Sequence, residues 1–101
     1  MAAGSGYAGK PRPAVILQDD RFAGTESVTI AVFTTDSTDA PLIRLLVEPE
    51  AGNGLRAASR LMIDKVTTVP RVRLGARLGR LDDKDILRVN RALLVFLGLA
   101  G

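Results

Sequence analysis

The chain has 101 residues and a mass of 10.7 kDa, enough for one domain. Its 47% hydrophobic and 25% charged residues are the proportions of a folded globular protein rather than a disordered one. It has no Cys and no His, which excludes disulfides, thiolate nucleophiles, His-dependent triads and the usual zinc sites, and 4% aromatics is too little for a base-stacking sheet. The net charge of +3 is uneven: residues 1–50 sum to −3, residues 51–101 sum to +6, and 11 of the 14 basic residues are Arg. A polyanionic partner, either nucleic acid or an acidic polypeptide, therefore competes with the plainer reading of a solvated basic face.

In chain order, Met1 to Pro13 is rich in Gly, Ala and Pro and reads as a loop. It contains a formal G-x-G-x-x-G from Gly4 to Gly9. With no strand expected before it and Lys10-Pro11-Arg12-Pro13 after it, no helix can open there, and a dinucleotide site is rejected. Ala14 to Leu17 reads as a strand buried on both faces, Ser27 to Phe33 as a β-branched strand and Leu42 to Val47 as a third. Asn53-Gly54 marks a reversal. Ser59 to Val69 is expected as one strand, broken at Pro70, with Val72 to Gly75 continuing as an edge strand.

Asp82 is a good N-cap for a C-terminal helix, with Asp85 as the capping-box acid and Gly98 as the stop. Its apolar face is Ile86, Val89, Leu93 and Leu97, widened by Leu94 and Phe96. The expected fold is mainly β with that helix packed on it: a small, SH3-like, strongly bent antiparallel sheet or partial barrel, in a single domain over residues 1–101. No apolar run reaches the roughly 18 residues of a membrane span, and Met1 to Gly9 lacks the pattern of a signal peptide. A cytoplasmic protein is expected.

Three pieces together are specific. The loop ending Ala8-Gly9-Lys10-Pro11-Arg12-Pro13 runs directly into Ala14-Val15-Ile16-Leu17, a later strand ends Val32-Phe33-Thr34-Thr35, and Ile63-Asp64-Lys65-Val66 precedes a basic stretch and the terminal helix. This pattern resembles the MazF/PemK/Kid family of endoribonuclease toxins across nearly the whole chain. The resemblance implies metal-independent, sequence-specific cleavage of single-stranded RNA, a cognate acidic antitoxin, a homodimer and no cofactor. Attack by the 2′-hydroxyl would leave a 2′,3′-cyclic phosphate and a 5′-hydroxyl. It also implies catalytic roles for Arg12, Thr34 and Asp64. Lys10, Thr35, Arg60, Lys65, Arg71, Arg73 and Arg77 are the expected RNA-binding residues, the last three lying with Arg80 on one basic stripe if that segment is extended.

The chain departs from the family in three ways. The family's first strand, carrying R-G-[DE], is expected to be missing. Pro11 is inserted before Arg12, and Met62 stands where some members have an arginine, with Arg60 the nearest substitute on the same strand face. Each residue also has a plainer reading: Arg12 paired with Asp19 or Asp20, Thr34 and Thr35 as ordinary strand-end residues, Asp64 paired with Lys65. Two other functions remain open. One is a gyrase poison like the related CcdB toxins, which the Thr68-Val69-Pro70 strand and terminal helix resemble although the chain has no Trp. The other is a degenerate relative that binds an antitoxin without cutting.

Overall fold

The computed structural model describes residues 2–5 and 12–99. Seven strands form among them: β1 (Ala2–Ser5), β2 (Pro13–Ile16), β3 (Ser27–Thr34), β4 (Arg44–Val47), β5 (Ser59–Met62), β6 (Thr67–Pro70) and β7 (Arg77–Arg80). One helix, α1 (Asp83–Phe96), follows. The sheet runs β4-β5-β3-β2-β1-β7, all pairs antiparallel, with β6 also on β3. The expected fold class is what the chain adopts. No helix among the described residues is long and apolar enough to cross a membrane.

β3 is the central element, and one of its edges is used twice. Ser27 to Ile30 pair with β6, while Phe33 and Thr34 pair with β5. Side chains alternate along a strand, so β3 feeds two clusters. Ala31 and Phe33 join Val15, Leu45, Leu61, Ile63, Leu81 and Val89 beneath α1, whereas Val28, Ile30 and Val32 join Ala14, Met62 and Val69 on the other face. β2 is buried on both faces as its apolar run implied, with Ala14 and Val15 on opposite sides.

Five sequence expectations are corrected. The first strand is not missing: β1 hydrogen-bonds to both β2 and β7, so Met1 to Pro13 is not all loop. Ser59 to Val69 is not continuous, because a 3-10 turn at Ile63–Lys65 separates β5 from β6. Local preference across this β-branched run favours strand throughout. A bidentate ion pair from Asp64 to Arg44 and a bond from the Ile63 N–H to the Ile43 carbonyl (2.9 Å) hold the turn instead.

Val72 to Gly75 is not an edge strand. Arg71–Arg73 is another 3-10 turn, fixed by the Arg71 N–H on the Glu26 carbonyl (2.8 Å) and Arg71 Nε on the Thr25 carbonyl (2.7 Å), and the edge strand comes later as β7. In α1 the Asp82 carboxylate accepts from the Asp85 N–H (2.9 Å) as expected, but Asp85 pairs with Arg88 rather than completing a capping box. Gly98 ends the helix with φ +74°. Val89 and Ala92 are buried, while Leu94, Phe96 and Leu97 stay exposed, so the apolar face is narrower in the isolated chain than its sequence suggested.

Candidate functional site

Register places the candidate residues. Ala14 lies opposite Val32 in the β2–β3 pair, so one step beyond β2 sets Arg12 level with Thr34. Thr34 is in turn directly opposite Arg60, and Arg60 opposite Leu46. Arg12, just before β2, thus comes near the level of the Thr34–Arg60 pair, with the β2 and β5 backbones on the order of 10 Å apart. Residues directly opposite share a face, so Thr34 and Arg60 project together. The Thr34 hydroxyl oxygen accepts from the Asp36 N–H (3.1 Å), which fixes its direction.

A groove of about 420 Å3 opens beside this level. Arg12, Pro13, Thr35, Gly54, Leu55, Arg56, Ala57, Ser59 and Leu78 line it. Two guanidinium groups and two hydroxyls face apolar walls, and no carboxylate is among the described lining residues, nor are Thr34 and Arg60. Neither Arg12 nor Arg56 takes part in an ion pair among the described residues. Asp19 holds Arg21 rather than Arg12. Such a lining favours an anion.

The wall opposite Arg12 is built by a turn that the sequence showed only in part. Asn53, 1% exposed, accepts through Oδ1 from the Glu50 N–H (3.1 Å) and the Leu55 N–H (3.0 Å), and donates through Nδ2 to the Glu48 carbonyl (2.9 Å). The turn packs backbone to backbone against β7. A Cβ at Gly79 would collide with the Gly52 carbonyl, one at Gly54 (φ +74°) would collide with that of Leu78, and the Arg80 N–H donates to Gly52 (2.8 Å). This contact fixes where Leu55 and Arg56 enter the groove. Asn53-Gly54 was readable as a reversal, but nothing in the sequence marked Arg56 or Ser59.

The other expected residues are dispersed. Asp64 lies beyond the far end of β5 from Arg60 and pairs with Arg44, not with Lys65, at 2.8 and 3.1 Å. The Arg44 guanidinium holds its carboxyl below the ordinary value of 3.8, although partial burial opposes this. An acid with both oxygens engaged and its basicity lowered is a poor proton acceptor. Because the folded pKa is depressed, the stability from this pair is complete above the unfolded value and is lost as pH falls through the folded one. Asp64→Asn should therefore lower the melting temperature at pH 7 and flatten the acid limb of a stability–pH profile. An unchanged acid limb would count against that role.

The basic stripe does not form: Arg71 is held at the opposite end of β3 by Thr25, and Arg73 sits with it on the turn. Arg77 is on β7, donating to the Gly79 carbonyl (3.4 Å), and Lys65 is exposed beside Asp64. Lys10 lies outside the described residues. One carboxylate cluster occurs among the described residues, Glu50, Asp82 and Asp85. Asp85 is taken by Arg88 (2.9 Å), Asp82 by the helix N–H and Glu50 by Lys84 (3.9 Å), so the set is already satisfied by the protein.

Comparison with known proteins places the chain in a family. The family model described as PemK-like, MazF-like toxin of type II toxin-antitoxin system matches residues 2–97. A probable endoribonuclease MazF of Mycolicibacterium smegmatis is 60% identical over 100 residues, 99% of this chain and 92% of that protein. Among solved structures, the Mycobacterium tuberculosis toxin MazF-mt6 superposes with a TM-score of 0.87 at 24% identity, covering 100% of both chains. A mycobacterial endoribonuclease in complex with its cognate antitoxin superposes at 0.79 with 21% identity, covering 99% of this chain and 93% of that one. With a family match over residues 2–97 and a 60% identical relative over nearly its whole length, the chain belongs to the PemK-like, MazF-like toxins of type II toxin–antitoxin systems.

Proposed function

We propose that the chain is a cytoplasmic, metal-independent endoribonuclease that cleaves single-stranded RNA at short sequence motifs. The observation that carries this reading is the groove lined by Arg12, Thr35 and Arg56, with no carboxylate among its described lining residues. The 60% identity to a probable endoribonuclease supports it.

In this mechanism the RNA 2′-hydroxyl attacks the adjacent phosphorus. The new 2′-O–P bond forms, the P–O5′ bond breaks, the 2′ proton passes to water and the 5′ oxygen gains a proton. The nucleophile is part of the substrate, so much of the orientation entropy is already supplied. The protein's task is to stabilise charge on the equatorial phosphate oxygens. Arg12, preceded and followed by proline, does so with a restrained backbone, and Thr34 donates its hydroxyl hydrogen. Asp64, held ionised by Arg44, fixes β4 to the turn after β5 and takes no proton.

The same reading includes a homodimer and an acidic antitoxin segment covering the basic half. Leu94, Val95, Phe96, Leu97 and Leu99 leave an apolar patch at the end of α1 in the isolated chain, which supports a second copy. The +6 charge of residues 51–101 and a structural relative solved with its antitoxin support the acidic segment.

Incubation with mixed-sequence single-stranded RNA and excess EDTA should give fragments with 5′-hydroxyl ends. Once the cleaved motif is mapped, a substrate with deoxyribose at the scissile position should be inert. Cleavage of that deoxy substrate would sink the mechanism. Inhibition of DNA gyrase without RNA cleavage would favour the gyrase-poison alternative.

A further inference from the structure

We propose that Arg56 is a substrate-holding residue of the RNA site, gripping a backbone phosphate next to the one that Arg12 serves. The proposal rests on the endoribonuclease reading and adds to it a residue and a division of labour.

Arg12 and Arg56 enter one groove from different elements, Arg12 from the start of β2 and Arg56 from the turn that Asn53 locks against β7. Both are exposed, and neither has a carboxylate partner among the described residues. The groove's volume of about 420 Å3 is at the scale of a small-molecule pocket, room for about one nucleotide. Leu55 and Leu78 give an aliphatic wall for a base, which matters in a chain whose aromatics are 4%.

The Gly79–Gly52 and Gly54–Leu78 backbone contacts make the wall rigid, so Arg56 is delivered to a fixed place. A guanidinium with no carboxylate partner among the described residues, at a fixed place on a groove whose described lining has no carboxylate, suits a phosphate diester. Arg56 is offset from the Arg12–Thr34–Arg60 level, on the turn that precedes β5. It therefore serves a phosphate that does not react, and acts on binding rather than on the chemical step.

The test is Arg56→Ala and Arg56→Lys measured beside the unmodified protein. Arg56→Ala should raise KM about 10-fold and leave kcat within about twofold, the signature of lost uniform binding. Binding of a mixed-sequence RNA protected by 2′-O-methyl groups should lose about 0.7 from the slope of log affinity against log salt, the share of one single-strand phosphate contact. Arg56→Lys should keep that slope and recover part of KM, since it keeps the charge but not the planar fork. Unchanged KM and slope in Arg56→Ala, with the unmodified protein cutting RNA, would overturn the role of Arg56 alone. So would a fall in kcat at constant KM, or a binding defect seen only with an acidic polypeptide such as polyglutamate. An unmodified protein that neither cuts nor binds RNA would overturn the endoribonuclease reading and this inference together.

Discussion

Arg12→Ala should slow RNA cleavage at least about 100-fold, the usual loss when one preorganised donor is removed from a transition state. Arg12 is exposed at the groove and has no ion-pair partner among the described residues, so the variant should fold and melt as the unmodified protein does. Arg12→Lys should recover only part of the rate, because an ammonium cannot span two phosphate oxygens as a planar guanidinium does. Single-turnover cleavage with thermal melting of each variant provides the measurement. Full activity in Arg12→Ala would remove Arg12 from the mechanism and leave the fold untouched.

Phe33→Ala should be the most damaging single truncation in the core. Phe33 is 2% exposed on β3, faces Leu61 of β5 and packs among Val15, Leu45, Ile63, Leu81 and Val89. Such a truncation typically costs about 3–5 kcal/mol, against a total of about 5–15 kcal/mol for a small domain. A urea titration should show the midpoint falling with the slope unchanged. Because Thr34 is the next residue and is aligned by the same strand pairing, cleavage should fall as the folded fraction falls. A shift in midpoint worth less than about 1 kcal/mol would mean that the cavity closes by repacking.

Much of the fold was legible because its signals are local. The apolar run Ala14 to Leu17, the β-branched Ser27 to Phe33 and the Asp82 cap each identify their own element, and each element forms. The errors fall where a distant residue decides. Arg44 turns the chain at Asp64 and splits a run that is uniformly β-prone. Thr25 and Glu26 capture Arg71 and deny Val72 to Gly75 their expected strand. β1 escaped notice because Ala2 to Ser5 has weak strand preference and exists through pairing with β2 and β7.

The site divides in the same way. Arg12 and Thr34 were found through resemblance to a family, and the register sets them level. Asp64 was expected as a reacting group, but its geometry ties it to Arg44. Arg56 carries no local signal, since only folding brings it to the groove that Arg12 lines.

The pairing of β1 with β7 also bears on synthesis. Ala3 meets Gly79 and Ala2 meets Arg80, so on the ribosome β1 finds its second neighbour only after every strand between them has been made. The groove has the same requirement, because Arg12 and Thr35 face a wall completed by Leu78. Pairings this distant in sequence close late. A nascent fragment ending before β7 lacks the Leu78 wall, so the groove can form only once β7 has emerged.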